Sequence, residues 1–220
     1  MPNLPPRLML MIIAFAFLVA FVQLGVLTIA LEKLGLSEQS AYLLFLTTIV
    51  GSFINLPLFT VKATTPPPGV TPPQASRMFG LQLPRFEGKT LIAVNVGGCL
   101  TPLGFSLYLL LHSPLDLPQV FGAIGIVAAV SYVASRPVPG LGIGIPVFVA
   151  PVTAALVAVA INPDQSAPLA YIGGTMGVLI GADVLRLKEI GKMGTPFASI
   201  GGAGTFDGIF ITGIVAVLLA

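Results

Sequence analysis

From Leu8 to Leu31 the chain runs 24 residues without a charged side chain, and comparable runs recur along its length. A helix rises about 1.5 Å per residue, so such a run is long enough to cross about 30 Å of hydrocarbon. Seven segments of this kind are expected to cross, over residues 8–31, 40–60, 91–112, 117–135, 143–161, 168–187 and 202–220. Their Leu, Ile, Val and Ala do not alternate strictly with polar residues as barrel strands would, and in lipid the backbone of a helix satisfies itself. The expectation is an all-α fold, a polytopic membrane helix bundle of about seven transmembrane helices forming a single integral membrane domain over residues 1–220. Arg7 precedes the first run, but 24 residues exceed the apolar core of a signal peptide, about 7–15 residues, so the run reads as a retained first helix.

Composition agrees with that class. Charged residues make up 8% of the chain, against about 25% in soluble domains, and mean hydropathy is +1.01. A net charge of +2 spread over scattered positions gives no nucleic-acid surface. One cysteine, Cys99, excludes an internal disulfide and a multi-thiolate site, and with a single histidine the chain is expected to hold no metal and no cofactor. Cys99 reads as a small buried hydrophobe, and His112 as a residue of the outer interface, far from the acids discussed below.

Charge also orients the bundle. With seven spans, Arg7, Lys62, Arg77, Arg85, Lys89, Arg136, Arg186, Lys188 and Lys192 share one side, leaving Lys33 with Glu32, Glu38, Asp116 and Asp164 on the other. Cytoplasmic loops are enriched in Lys and Arg, so the N-terminus and the basic loops are placed in the cytoplasm of a multi-pass cell-membrane protein. The longest loop, 61–90, opens with a proline-rich half expected to be extended. Its second half mixes Arg77, Arg85 and Lys89 with Met78, Phe79, Leu81, Leu83 and Phe86, which reads as a solvated tether or as a stretch lying on an anionic inner leaflet.

Two carboxylates stand inside apolar segments: Asp183 in YIGGTMGVLIGADVL and Asp207 in GGAGTFDGIFITGIVAVLLA. An aspartate at a bilayer centre costs about 2.5–3.5 kcal/mol on insertion scales, and less near an interface. Antiparallel helices joined by loop 186–201 put both acids at similar shallow depth on the cytoplasmic side. Two ordinary roles are open to them, an i,i+3 pair of Asp183 with Arg186 and a helix N-terminal carboxylate at Asp207. The sharper reading is a catalytic pair, in which two carboxyls share a proton and one activates water while the other polarises a peptide carbonyl. Around them Gly204 and Gly208 form a small-xxx-small pair, and Gly173, Gly177 and Gly181 form a ridge with the same spacing, which allows close helix contact. Asp183 lies off that ridge, so a ridge turned toward the last helix would not aim Asp183 at it. Asn55 closes the second segment and Asn95 opens the third, both near the cytoplasmic face, where they bridge helices or line a polar path with the acids. RPVPGLGIGIPVFVAP, residues 136–151, reads either as a broken or re-entrant helix or as a rigid turn, with Pro146 and Pro151 kinking the following helix.

GGAGTFDGIF resembles the second-aspartate motif of the GxGD intramembrane aspartyl proteases, the group of presenilin and signal peptide peptidase. The resemblance implies that Asp183 and Asp207 are the first and second catalytic aspartates, on the sixth and seventh helices. Phe206 stands where the motif has its second glycine, Ala182 where the family has tyrosine, and no Pro-Ala-Leu motif is present. The wider pattern, GADVLRL followed by GGAGTFDGIF, resembles an uncharacterised family of bacterial and archaeal membrane proteins. The functional expectation is an intramembrane aspartyl protease acting on a transmembrane peptide. The alternatives are an ion- or proton-coupled transporter or channel using the same acids, or an accessory subunit whose glycine faces dock other helices in an oligomer or larger membrane complex. In each case the lipid bilayer is a partner.

Overall fold

The computed structural model describes residues 25–26, 28–63, 88–138, 142–202 and 208–220. After a helical stretch over 28–33, the elements are α1 (Glu38–Ser52), β1 (Asn55–Lys62), β2 (Lys89–Asn95), a π-helical segment Val96–Leu100, α2 (Thr101–His112) and α3 (Leu117–Ala134). A short hairpin of β3 (Arg136–Val138) and β4 (Gly142–Gly144) leads to α4 (Val149–Ile161). A 3-10 turn, Pro163–Gln165, opens α5 (Ser166–Val178), which continues as a second π-helical segment, Leu179–Val184. Then come a single turn α6 (Leu187–Ile190), β5 (Phe197–Ile200) and α7 (Gly208–Leu219).

The chain is largely helical, but the all-α expectation is corrected by two sheets. One has the order β1-β2-β5, with β1 antiparallel and β5 parallel to β2, and the other is the β3-β4 hairpin. The segment expected over 40–60 leaves its helix at Ser52, because Pro57 cannot continue a helix and the β-branched and aromatic residues that follow favour a pleated strand. The segment expected over 91–112 begins as a strand. Within KTLIAVN, Ile92 and Ala93 are fully buried on opposite faces of the sheet, so the apolar run that resembled a helix is a strand covered on both sides. The helix expected from 143 starts at Val149, after β4. Residues 117–135 and 168–187 come closest to expectation, as α3 and as α5 with its π-helical extension.

Two of the described helices, Leu117–Ala134 and Pro163–Val184, are long and apolar enough to cross a membrane, while Val96–His112 and Val149–Ile161 are shorter apolar helices. α5 is the central element, touching α2, α3, α4 and α7. Its glycine ridge packs on α3: a Cβ on Gly173 would lie 3.3 Å from that of Ala123, one on Gly177 would lie 2.6 Å from that of Val127, and one on Gly181 would overlap the Ala128 carbonyl. The opposite face meets α4 and α7, with Gly174 against Ala154 and Ala216, and Gly213 of α7 against Tyr171 and Thr175. Around this contact Ala, Leu, Tyr171 and Val217 make the main core.

Side-chain hydrogen bonds identify two ends of the bundle. At one end Lys33 donates to the Val217 carbonyl (3.4 Å), Ser166 to that of Ala220 (3.2 Å), and Asn162 to Gln119 (3.0 Å). The sheet and the basic residues Lys62, Lys89, Arg136, Arg186, Lys188 and Lys192 gather at the other, where Arg186 donates to the Tyr132 and Ser135 carbonyls that end α3 (2.6 and 2.8 Å).

Candidate functional site

The sheet end of the bundle holds Asp183. It lies in the π-helical extension of α5, where the Leu185 N–H donates to the Ile180 carbonyl at 2.9 Å, an i→i+5 bond that widens the turn. Such single-turn insertions are frequent at functional sites because they re-aim one side chain without ending the helix. Here the carboxylate of Asp183, through Oδ2, accepts the Gly201 N–H at 2.9 Å.

Gly201 is placed by two constraints. Its φ is +81° and that of Gly202 is +90°, a left-handed pair that turns the chain out of β5. A Cβ on Gly201 would also lie 2.7 Å from the Cβ and N of Cys99. Cys99, buried as expected, belongs to the first π-helical segment, so both π-helical turns close on this one glycine. The apolar wall here is formed by Cys99, Ala150, Val178, Leu179, Ala182 and Ile209.

A polar chain supports the turn from the sheet side. Asn95, fully buried, donates through Nδ2 to the Ser52 carbonyl (2.7 Å) and to Oδ1 of Asn55 (3.1 Å). Its own Oδ1 accepts the Gly98 N–H (2.7 Å) and thereby caps the first π-helical segment. Oδ1 of Asn55 also accepts from Ser199 Oγ at 2.6 Å, two residues before Gly201. Asn55 and Asn95 are therefore brought together: Asn95 opens the helical run Val96–His112 as expected, at the end of β2, whereas Asn55 begins β1 instead of closing a helix. They tie the end of α1, β1, β2 and β5 into one unit beside the Asp183–Gly201 contact.

Pro146 does not join this chain and does not kink a helix. It precedes α4, its carbonyl accepting the Val149 N–H at 3.2 Å. Pro151 falls in the first turn of α4, where no N–H is needed. The broken or re-entrant helix is thus replaced by a hairpin, and the neighbouring Ile145 packs against the Asp183 wall. Gly204 and Asp207 lie outside the described residues, while Gly208 opens α7. Ile209, the next residue, is buried in the same wall as Leu179 and Ala182.

The simple pairing of Asp183 with Arg186 does not occur. The guanidinium of Arg186 is taken by Glu189 (2.8 Å), by Ser135 Oγ (2.8 Å) and by the α3 carbonyls, and it stacks over the Tyr132 ring at 4.4 Å. His112 is exposed at the opposite end, its Nδ1 2.9 Å from the Tyr108 carbonyl. Ser199 and the Gly201–Gly202 pair are neighbours of the site that sequence reasoning missed, and the doubled glycine after Phe197–Ile200 was their one local signal. Among the described residues no group of His, Cys, Asp and Glu has the arrangement of a metal site.

No curated protein and no solved structure matches the chain. A family described as a protein of unknown function (DUF1614) matches residues 49–219, which takes in the sheet, both π-helical segments and every element around Asp183. The chain belongs to that family.

Proposed function

We propose that this is a multi-pass membrane protein with its sheet end in the cytoplasm, and that Asp183 and Asp207 form the two-aspartate site of an intramembrane aspartyl protease. The observation that carries the reading is the contact of Asp183 with Gly201. It brings the first acid against Gly201, six residues before the second in sequence, and Ile209, two residues beyond Asp207, packs beside Ala182. A carboxylate held by one backbone N–H keeps its other oxygen for a second carboxyl or a water. Exposed Leu, Val and Phe on the outer faces of α1 to α4 support the membrane placement, since lipid rather than water would cover them. The resemblance of GGAGTFDGIF to the GxGD motif supports the choice of reaction, and a transmembrane peptide is the substrate class it implies.

The test is cleavage of single-span peptides by the purified chain in detergent. Asp183→Asn and Asp207→Asn should each lower the rate by about 10²-fold or more, the range of lost acid–base catalysis. No cleavage by the native chain, or cleavage unchanged in either variant, would overturn the proposal.

One observation favours a second reading, proton- or ion-coupled transport through the same acids. Tyr171 is fully buried with its hydroxyl unpartnered among the described residues, beside a buried Ser106–Thr175 hydrogen bond of 2.9 Å. Thr175 stands eight residues, about 12 Å, before Asp183 in the same helical run, so a polar path would continue from the acid into the bundle. That reading predicts ion flux in vesicles without proteolysis, lost in Asp183→Asn.

A further inference from the structure

The β1-β2 hairpin ends in an unfavourable rung. The Ala63 N–H donates to the Gly88 carbonyl at 2.9 Å, which makes the adjacent pair, Lys62 opposite Lys89, a non-hydrogen-bonded rung. Residues in such a rung stand about 4.5 Å apart at Cα, and like charges directly opposite one another are destabilising. Both lysines are exposed, and neither forms an ion pair among the described residues. More positive charge lies close by. A Cβ on Gly191 would sit 2.7 Å from the Lys62 carbonyl, and Gly191 is flanked by the exposed Lys188 and Lys192. Glu189, the acid of α6, is occupied by Arg186, and the carboxylate of Asp183 faces Gly201.

The strand that carries Lys62 is apolar on its outside. Phe53, Ile54, Leu56, Leu58 and Phe59 are all exposed between the end of α1 and the cations. α1 has 15 residues and rises about 22 Å, short of about 30 Å of hydrocarbon. The apolar strand residues therefore continue where the helix stops, and the lysines follow them. A soluble polyanion would neutralise the lysines and leave these side chains wet, whereas a phospholipid satisfies both.

We infer that Lys62, Lys89, Lys188 and Lys192 form a binding site for the phosphates of anionic phospholipid, with Leu56, Leu58 and Phe59 set into the acyl boundary. The inference rests on the membrane placement proposed above and is independent of the aspartate chemistry. Membrane placement is read first, by resistance of the full chain to carbonate extraction, and release by carbonate overturns the placement and this inference with it. The thermal midpoint of the purified chain in detergent is then followed against phosphatidylglycerol, phosphatidylcholine or inorganic phosphate. Phosphatidylglycerol alone should raise it. In Lys62→Gln/Lys89→Gln the half-saturating phosphatidylglycerol should rise about 25-fold, from about fivefold per lysine near an anionic surface. Without lipid the same variant should be at least as stable as the native chain, because the like-charge rung is gone. Lys62→Arg/Lys89→Arg should respond as the native chain does. Lys188→Gln/Lys192→Gln tests the same cluster from α6 if the hairpin variant does not fold. An undiminished response in the glutamine variants, or an equal response to phosphatidylcholine, overturns the inference. An equal response to inorganic phosphate assigns the site to a free anion and overturns the lipid.

Discussion

Asn95 shows how one buried amide holds several elements at once. Its two donors and its acceptor serve the end of α1, the side chain of Asn55 and the N–H of Gly98. Replacing it with alanine leaves the Gly98 N–H and the Ser52 carbonyl short of a partner. Each buried group left unsatisfied costs about 1–3 kcal/mol, so Asn95→Ala should lower the thermal midpoint in detergent by several degrees. Asn55→Ala should cost less, since Asn55 is only half-buried, and an equal effect of the two would contradict the hierarchy. Part of this was legible beforehand: an asparagine opening a helical turn is a capping signal, and Asp183 stood out as an acid in an apolar run. The acceptor role of Asp183 toward Gly201 was not legible. It depends on the widened turn at Leu179–Val184, and local preferences do not announce an i→i+5 bond.

Among the elements, α5 and its π-helical extension meet α3 through glycines, so that their own backbone forms this side of the contact. Gly181 lies against the Ala128 carbonyl and Gly177 against Val127. Gly181→Leu must force the helices apart or abolish the contact, a loss of several kcal/mol in the range of severe overpacking. Gly104→Leu, at a position with open space around it, should change the midpoint little, and comparing the two by thermal shift checks the argument. The spacing of the ridge was visible in the sequence, but its partner was not. It faces α3 instead of the last helix, which leaves Asp183, off the ridge, free to turn toward Gly201. The strands were the elements least visible. LPLFTV and TLIAV are apolar runs whose composition fits a helix in lipid as well as a doubly covered strand, and pairing between positions far apart in the chain, from Val61 with Thr90 to Leu56 with Val94, decides between them.

For the whole molecule, counting spans in the sequence puts nine of the ten basic residues on one side and Lys33 on the other, and the structure gathers Lys62, Lys89, Arg136, Arg186, Lys188 and Lys192 at the sheet end while Lys33 sits at the other. With Cys99 replaced by alanine, single cysteines at Lys33 and Lys192 should be labelled by a membrane-impermeant thiol reagent from opposite faces of sealed membranes. Labelling of both from the same face would refute the bundle orientation. What the sequence could not supply was the depth at which helices give way to sheet, because Pro57 and the left-handed Gly201–Gly202 turn act through partners far along the chain.

The rung that closes β1 and β2, Ala63 to Gly88, has one more consequence. It holds Ala63 and Gly88 side by side, so the chain leaves and re-enters the described fold at one fixed pair of neighbouring positions. That pair stands at the opposite end of β1 from Asn55, so the point of exit and re-entry is separated from the Asp183–Gly201 contact by the length of the strand.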